Sequence, residues 1–204
     1  MPKIVDHEKY RKELADKCMD LFSKKGYANV TMREISRELG VSTGSLYHYF
    51  PNKEAIFAHM ADHMSQTDVA NVLSRIDDSF STEEKLRVYG RHWTEKPGYY
   101  QSILLLAIDF IRNYTGTDKD VIKEEYVQYY VDAMAENLGV PEELARFIYV
   151  HMIGLFYYDL VLQGTDCFQE QLELFITMFV SYAEKLKYAS PKPVTKVRKG
   201  GKAG

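Results

Sequence analysis

The chain has 204 residues, 46% of them hydrophobic and 13% aromatic, with a formal net charge of −3. This composition is ordinary for a globular protein, and the length leaves room for one large domain, or for one small and one larger. The two cysteines, Cys18 and Cys167, match no metal-ligand spacing and are predicted to be unpaired thiols in a reducing cytoplasm. The charged start predicts no signal peptide, and the longest apolar stretch, 147–158, is shorter than the roughly 20 residues of a membrane span.

The charge is unevenly distributed along the chain. Residues 1–63 carry a net charge of +1, residues 64–184 carry −11 and residues 185–204 carry +7. This asymmetry indicates that the two ends face an anionic partner while the middle does not.

The first predicted elements are one long helix and one very short helix. Apolar side chains recur on one face of residues 8–25, and Gly26 ends that helix. Thr31 and Glu34 form a T-x-x-E capping box, which starts a short helix that Gly40 closes.

The next predicted helix is also short, and it contains a glycine. Ser42 can cap its start, Pro51 stops it, and Asn52 caps a longer helix that begins at Lys53. Gly44 near its middle costs about 1 kcal/mol relative to alanine. A function that needs the backbone at this position to come close to a partner would explain the glycine.

The remaining residues predict a bundle of longer helices, so the fold class is all-α. Turn signals separate helices over 53–78, 82–95, 97–114, 117–138, 142–164 and 167–187. We expect a helix-turn-helix domain over 1–52, a helical domain over 53–189, and a disordered basic tail over 190–204.

The last two helices predict a surface that pairs two copies of the chain. No lysine or arginine occurs from 147 to 184, and the helix 145–164 is apolar nearly all round. The final helix carries an apolar seam at Phe168, Leu172, Phe175, Phe179 and Leu186. Two helices from each chain would form a four-helix interface with two-fold symmetry, and the alternative is that they fill a monomer's core.

Residues 31–50 have the layout of a helix-turn-helix. Apolar residues that would lock the two short helices together are Ile35, Leu39, Val41 and Leu46. Outward positions would hold small hydroxyls and ring-bearing donors at Thr43, Ser45, Tyr47 and His48. Such groups can contact phosphates or base edges in a DNA groove.

This region resembles the DNA-binding region of the TetR family of bacterial transcriptional regulators. The resemblance rests on Leu21-Phe22, Gly26-Tyr27, Thr31, Ile35, "LGVS" at 39–42, Gly44, "LYHYF" at 46–50 and "NKEAIF" at 52–57. It covers about fifty N-terminal residues, whereas the rest is similar only as an all-helical body. The sequence departs from the family's commoner choices at Met32, Ser36 and Leu39, and Met32 lacks the hydroxyl of a frequent threonine.

The resemblance implies roles for single residues. The DNA-binding face would consist of Thr31, Arg33, Ser42, Thr43, Gly44, Ser45, Tyr47, His48 and Lys53. Arg33 would reach a base edge, while Thr31 and Lys53 would contact phosphate. A Cβ at Gly44 would hold the helix away from phosphate. Tyr49 and Phe50 are expected to point inward.

A ligand cavity is expected among the C-terminal helices. Asp109 and Asp159 are acids within apolar stretches, so each requires a partner or a ligand, and Arg112 is the ordinary partner for Asp109. The ring-bearing candidates, which ordinary core packing also explains, are Trp93, Tyr99, Tyr100, Phe110, Tyr126, Tyr130, His151, Phe156 and Tyr157.

Two further patterns leave alternatives open. His59 and His63 have the i, i+4 spacing of zinc ligands but lack a third ligand, so a solvated helix face is preferred and no metal is predicted. The basic tail, with Lys192, Lys196, Arg198, Lys199 and Lys202, would either attract DNA without specificity or simply be solvated.

The sequence is therefore interpreted as a homodimeric, cytoplasmic repressor that a small apolar or aromatic molecule releases from double-stranded operator DNA, without a cofactor and without a membrane. Two alternatives remain. One is an all-helical small-molecule-binding protein or enzyme without sequence-specific DNA binding, although no nucleophile–base pair or phosphate loop is found. The other is a regulator that activates transcription or needs no ligand.

Overall fold

A computed structural model of the chain describes residues 7–114, 124–162 and 167–185, in which α-helices are joined by short turns and no strand occurs. The helices are α1 (His7–Lys25), α2 (Met32–Leu39), α3 (Thr43–Tyr49), α4 (Lys53–Leu73), α5 (Thr82–Glu95), α6 (Pro97–Asn113), α7 (Glu124–Leu138), α8 (Glu142–Leu162) and α9 (Cys167–Lys185). The all-α prediction is confirmed. The predicted tail, Leu186 and the predicted helical residues 117–123 lie outside the described residues.

Side-chain caps fix the ends of the short helices. Thr31 accepts from the Glu34 N–H at 3.3 Å while the Glu34 carboxylate accepts from the Thr31 N–H at 3.0 Å, which completes the predicted capping box. Gly40 closes α2 with a φ of 68°, a left-handed conformation that an L side chain adopts only with strain. Ser42 then caps α3 by accepting from the Ser45 N–H at 3.0 Å. These bonds hold α2 and α3 in a tight turn.

The N-terminal core includes side chains from beyond the predicted boundary at residue 52. Phe22 and Leu46 are fully buried in it together with Ile56 of α4. Leu106 and Phe110 of α6 belong to the same cluster. Thus α4 and α6 reach from the body of the protein into the helix-turn-helix unit.

A second hydrophobic core lies among α5, α7, α8 and α9. Its buried members include Leu86, Val131, Ile148 and Ile176. Helix α8 contacts α6, α7 and α9, and α5 packs on α9. The body is therefore a helical bundle that receives the C-terminal end of α4, where Val72 is buried.

The fourth helix ends earlier than predicted. It stops at Leu73 rather than at residue 78, because the next residues form a turn in which Asp77 accepts from both the N–H and the hydroxyl of Ser79. The prediction for 82–95 agrees with α5, whose start Ser81 and Glu84 cap reciprocally.

Helix α8 is buried on one side only within a single chain. Ile148 and Met152 are buried, whereas Val150 and Tyr157 are 61% and 56% exposed. A single chain therefore leaves part of this apolar helix uncovered. Among the helices described, α8 is also the one whose length and composition would suffice to cross a membrane, a test that core helices of soluble proteins also pass.

Candidate nucleic-acid interface and ligand cavity

The third helix presents one face to the core and the other to solvent. Leu46 and Phe50 are fully buried, and the ring of Tyr49 lies against Tyr10 of α1 with the centroids 5.1 Å apart. As predicted, Tyr49 and Phe50 point inward. This packing fixes the rotation of α3 and determines which of its residues remain outside.

The outer face of α3 combines backbone that no side chain covers, at Gly44, with the exposed rings of Tyr47 and His48. Gly44, Ser45 and His48 are exposed, and half of the Tyr47 side chain is accessible to solvent. A Cβ built at Gly44 would meet only the Ser42 hydroxyl, at 4.0 Å. The backbone of α3 is therefore open to a partner on this side, as contact with a DNA groove requires.

Three predicted DNA-binding hydroxyls have structural roles in the chain alone. Those of Thr31 and Ser42 are the helix caps described above, and the Thr43 hydroxyl shares a 3.0 Å hydrogen bond with the buried Ser36. A hydroxyl has one O–H to donate to a phosphate oxygen, and that of Thr31 already donates to the Glu34 carboxylate at 3.0 Å. The bond described for the Ser42 hydroxyl is one that it accepts, which leaves its O–H for phosphate. Thr43 differs from expectation, because its hydroxyl is directed at α2.

Of the two basic residues predicted to contact DNA, Arg33 is exposed, whereas the ammonium group of Lys53 is bonded within the protein. Arg33 is exposed on the first turn of α2. The Lys53 ammonium donates to the Tyr27 carbonyl at 2.7 Å and lies 4.0 Å from the centroid of the Tyr27 ring. Burial lowers the pKa of Lys53 below its usual value. A phosphate contact by Lys53 would use only its remaining N–H groups.

The turn after α1 is anchored to both long helices that leave the N-terminal unit. The Tyr27 hydroxyl donates to Glu54 of α4 at 3.0 Å, and burial is the main cause that raises the pKa of Tyr27. The Asp109 carboxylate of α6 accepts from the Ala28 N–H at 3.3 Å. Asp109 also accepts from the Asn113 amide at 2.8 Å.

These contacts correct the expectation for Asp109. The carboxylate does not line a cavity, and the partners described for it are the backbone of the α1–α2 turn and Asn113 rather than Arg112. Apolar neighbours in sequence indicated burial, yet Asp109 is on the side of α6 that faces the turn. Its neighbour Phe110 is in the N-terminal core, where it stacks on Phe57 with the centroids 4.0 Å apart.

A cavity of about 190 Å³ lies between the C-terminal half of α4 and helices α5–α8. Its lining is aromatic and aliphatic apart from one carboxyl group. The lining residues are Asp68, Trp93, Tyr100, Ile103, Leu104, Ala107, Tyr130, Met134, Tyr149, Met152, Ile153 and Phe156.

The carboxyl group in the cavity wall belongs to Asp68 of α4. Its Oδ1 is 2.8 Å from His92 Nε2 and accepts from the Tyr100 hydroxyl at 2.7 Å. Among the described residues, its Oδ2 accepts from the Tyr130 hydroxyl alone, at 3.4 Å. Burial is the largest cause that raises the pKa of both tyrosines, so they stay protonated donors. The sequence analysis missed both Asp68 and His92.

A signal for Asp68 was present in the sequence. Met60, Met64, Asp68 and Val72 recur every four residues, which places the acid on the apolar stripe of α4. Its surroundings in sequence are polar, so only the helical register would have shown that it is buried.

The predicted ligand-binding residues are divided between the cavity and other places. Trp93, Tyr100, Tyr130 and Phe156 line it. Beyond Asp109 and Phe110, the residues found elsewhere are Tyr99, Tyr126, His151, Tyr157 and Asp159.

The reasons for these differences are local. Tyr126 donates to the Ala58 carbonyl at 3.0 Å, and Asp159 accepts from the Gln101 amide at 2.6 Å. Tyr99 and Tyr157 are exposed at 36% and 56%. Each thus faces a neighbouring helix or solvent instead of the cavity.

His151 lies in a different depression, a groove of about 520 Å³ between α8 and α9. It stacks on Phe175 with the centroids 4.3 Å apart, and burial lowers the pKa of its ring. The groove is flanked by exposed apolar side chains: Phe147, Leu174, Met178 and Tyr182 are all more than half exposed. This surface is apolar and continuous with the outer stripe of α8.

Within the described ranges, no group of three or more histidine, cysteine or acidic side chains is arranged to hold a metal ion. Of the predicted histidine pair, His63 lies 3.5 Å from the Asp16 carboxylate. His59 lies against the Phe50 ring instead, with the centroids 5.6 Å apart, so the two histidines contact different neighbours of α4.

Comparison with known proteins assigns the helix-turn-helix unit. Residues 14–60 match the family model described as bacterial regulatory proteins, tetR family. The N-terminal unit of the chain is therefore similar to that of the TetR family. The match extends from α1 into α4 and therefore includes the whole of the candidate DNA-binding face.

Two curated HTH-type relatives and one solved structure extend the comparison. The transcriptional regulator PksA of Bacillus subtilis is 38% identical over 58 residues, 28% of each chain. The negative regulator of the biofilm operon icaADBC, IcaR of Staphylococcus epidermidis, is 24% identical over 140 residues, 69% of this chain and 60% of the relative. The chain thus spans less than two thirds of the length of either relative.

The fold of the whole chain is similar to a solved regulator. The structure of FadR from Bacillus subtilis in complex with stearoyl-CoA has a TM-score of 0.66 and covers 83% of this chain and 97% of that one, with 16% sequence identity. At this identity the likeness concerns the fold, which is an N-terminal TetR-type unit on a helical body.

Proposed function

We propose that the chain is a DNA-binding transcriptional regulator, and that it represses until a small molecule releases it from its operator. The observation that carries the proposal is the outer face of α3, where Tyr47 and His48 are exposed. Gly44 leaves the backbone of the same face uncovered, and buried Leu46 fixes the rotation of the helix. A solvent-facing helix of this kind, within a TetR-type unit, suits the major groove.

Two copies of the chain would bind one operator. The exposed apolar stripe of α8 and the apolar groove against α9 would be covered by the same surface of a second copy. Patches of this kind on a soluble protein commonly mark interaction sites, and two-fold pairing is the commonest way to cover one. The two recognition helices would then read half-sites about 34–36 Å apart in successive major grooves.

The small molecule would bind in the cavity beside Asp68. Helix α4 supplies both Asp68 to the cavity and Ile56 to the N-terminal core. Helix α6 likewise supplies Ala107 to the cavity and Phe110 to that core. A ligand that prefers one position of these helices would shift the separation of the recognition helices, because it binds one dimer geometry more tightly than the other.

The known relatives support this proposal. IcaR is named a negative transcriptional regulator, and the FadR structure holds an acyl-CoA in a similar fold. A regulator that binds chromosomal DNA acts in the bacterial cytoplasm, so we place this chain there as well.

The direct test is to select duplexes from a random pool with the purified protein and then to titrate the enriched sequence. We expect a sequence with two-fold symmetry, bound by a dimer, and a loss of affinity of about tenfold or more in Tyr47→Ala. Tyr129→Ala serves as control, because Tyr129 is a similarly exposed tyrosine (42% against 50%) on α7.

Two outcomes would overturn the proposal. One is failure to enrich any duplex, which would favour a helical small-molecule-binding protein without sequence-specific DNA binding. The other is Tyr47→Ala binding within twofold of the unchanged protein as a folded dimer.

A further inference from the structure

The carboxylate of Asp68 in the cavity wall has few hydrogen bonds to its second oxygen. His92 and Tyr100 both bond Oδ1, while the contact described for Oδ2 is a long one of 3.4 Å from Tyr130. An ionised carboxylate accepts about four hydrogen bonds. Asp68 is 8% exposed, so solvent reaches it little. Oδ2 thus has unused accepting capacity on the wall of a cavity.

Asp68 has no lysine or arginine partner among the described residues, and the groups bonded to it are His92, Tyr100 and Tyr130. His92 Nδ1 is buried and has no hydrogen-bond partner among the described residues. The two tyrosines are neutral donors. Asp68 is thus the one acidic residue of the cavity lining, and no lysine or arginine of that lining opposes it.

The remaining wall of the cavity suits a cation with an aromatic ring. Trp93, Tyr100, Tyr149 and Phe156 line it, and neither lysine nor arginine is among the described lining residues. The faces of aromatic rings attract cations, and do so more strongly where water is excluded. A negative charge set among rings discriminates against anions for the same reason.

The size of the cavity limits the ligand to a small molecule. Its volume is about 190 Å³. An apolar cavity of about 150 Å³ holds benzene, and sites for drug-sized ligands measure about 300–1,000 Å³. One ring with a short substituent fits, whereas a long acyl chain does not.

We propose that the effector of this regulator is a small organic cation with a single aromatic ring, whose ammonium group binds Oδ2 of Asp68. The inference rests on the proposed function, because it names the ligand of the same cavity. Since Asp68 lies on α4, the cation would contact directly the helix that begins beside the recognition helix.

The test uses three probes of similar shape and different charge: benzylammonium, benzyl alcohol and benzoate. Trp93 is the only tryptophan of the chain and lines the cavity, so its fluorescence reports occupancy without DNA. We expect benzylammonium to bind about tenfold or more tightly than benzyl alcohol, and benzoate to bind most weakly, because hydrogen bonds to charged groups are stronger.

Asp68→Asn should abolish the preference for the cation, because it removes the charge and replaces one acceptor oxygen by an NH2 donor. Benzyl alcohol binding should stay within about threefold, because the side chain keeps its size and one acceptor oxygen. Asp159→Asn is the matched control, since Asp159 bonds Gln101 outside the cavity and its loss should leave the preference intact. If Asp68→Asn does not fold, the three probes on the unchanged protein still carry the test.

Equal binding of the three probes, binding of none, or a preference that survives in a folded Asp68→Asn overturns the cation site. These results are separate from the proposed regulatory function, which fails if no duplex is selected. Release of a selected duplex by benzylammonium, but not by benzyl alcohol at equal concentration, would show that occupation of the cation site controls DNA binding.

Discussion

Phe57 of α4 and Phe110 of α6 stack with their ring centroids 4.0 Å apart and their planes within 14° of parallel. The Tyr27 ring meets both at steep angles, with centroid distances of 5.6 and 4.8 Å. The three rings join the turn after α1 to the two helices that continue into the body. They form an apolar contact through which a displacement of the body would reach the DNA-binding unit.

The first prediction concerns this stack. Phe110→Ala should lower the free energy of unfolding by about 3–5 kcal/mol, because Phe110 is 1% exposed and its loss leaves a cavity. Denaturant unfolding measures the change. Ile111→Ala is the control on the same helix, and should stay within about 0.5 kcal/mol because Ile111 is 64% exposed. Similar losses in the two variants would contradict the described packing.

The second prediction separates stability from DNA affinity at Gly44. Alanine fits there, since its Cβ would meet nothing closer than 4.0 Å, and it should stabilise the free protein by about 0.5–1 kcal/mol. Affinity for a selected duplex should nevertheless fall about tenfold, the loss of roughly one charge-assisted hydrogen bond. Thermal unfolding and a DNA titration measure the two effects.

Gly98→Ala provides the comparison for Gly44→Ala. Gly98 is in the first turn of α6, and a Cβ there would also meet nothing within 4 Å. This variant should bind DNA like the unchanged protein. Undiminished DNA affinity in Gly44→Ala would show that the backbone at Gly44 does not approach the duplex.

The third prediction concerns the proposed dimer surface. Met178 is 63% exposed beside the α8–α9 groove, and Met178→Glu should convert the dimer to monomers at micromolar concentration, because two unpaired carboxylates would be buried at the interface. Sedimentation or light scattering gives the mass. Ile111→Glu introduces the same charge at an equally exposed residue of α6 and should remain dimeric. A dimeric Met178→Glu would place the interface elsewhere.

The fourth prediction is a pH effect from His151. Burial lowers the pKa of this histidine below its ordinary 6.5. The unfolded chain therefore takes up the proton at higher pH than the folded chain, and the stability present above about pH 6.5 is lost as the pH falls toward the folded pKa. The loss should be modest, because part of the ring remains accessible to solvent.

Thermal unfolding at about pH 8 and about pH 5 measures this effect. His151→Gln should lose less stability between the two values than the unchanged protein, because glutamine does not titrate. The difference between the two proteins isolates His151 from the other titrating groups. An identical drop in both would assign the pH dependence to other residues.

The starts of the short helices and of α4 were predictable from the sequence because they depend on neighbouring residues. The capping box at Thr31 and the caps at Ser42 and Asn52 each place a helix start correctly. The inward direction of Tyr49 was predictable for the same reason, since the register of a helix follows from a few apolar positions.

The contents of the cavity were not predictable in the same way. Asp159 was chosen for its apolar neighbours in sequence, but the Gln101 amide that meets it comes from α6. Asp68 was overlooked because its partners His92, Tyr100 and Tyr130 come from three different helices. Which acid is buried depends on how helices far apart in sequence are rotated against each other, and local composition does not contain that information.

Helix α4 is continuous from Lys53 to Leu73, so a tilt at its cavity end displaces its N-terminal end by an amount that the helix length determines. About 22 Å of helix separates Lys53 from Asp68, at about 1.5 Å per residue. A tilt of about 5° at the cavity end would move the other end by roughly 2 Å, and the two-fold symmetry of the proposed dimer would double this to about 4 Å between the recognition helices. That distance exceeds the length of a hydrogen bond. A change in helix angle too small to disturb the packing of the bundle would therefore be enough to break the contacts of both recognition helices with the duplex.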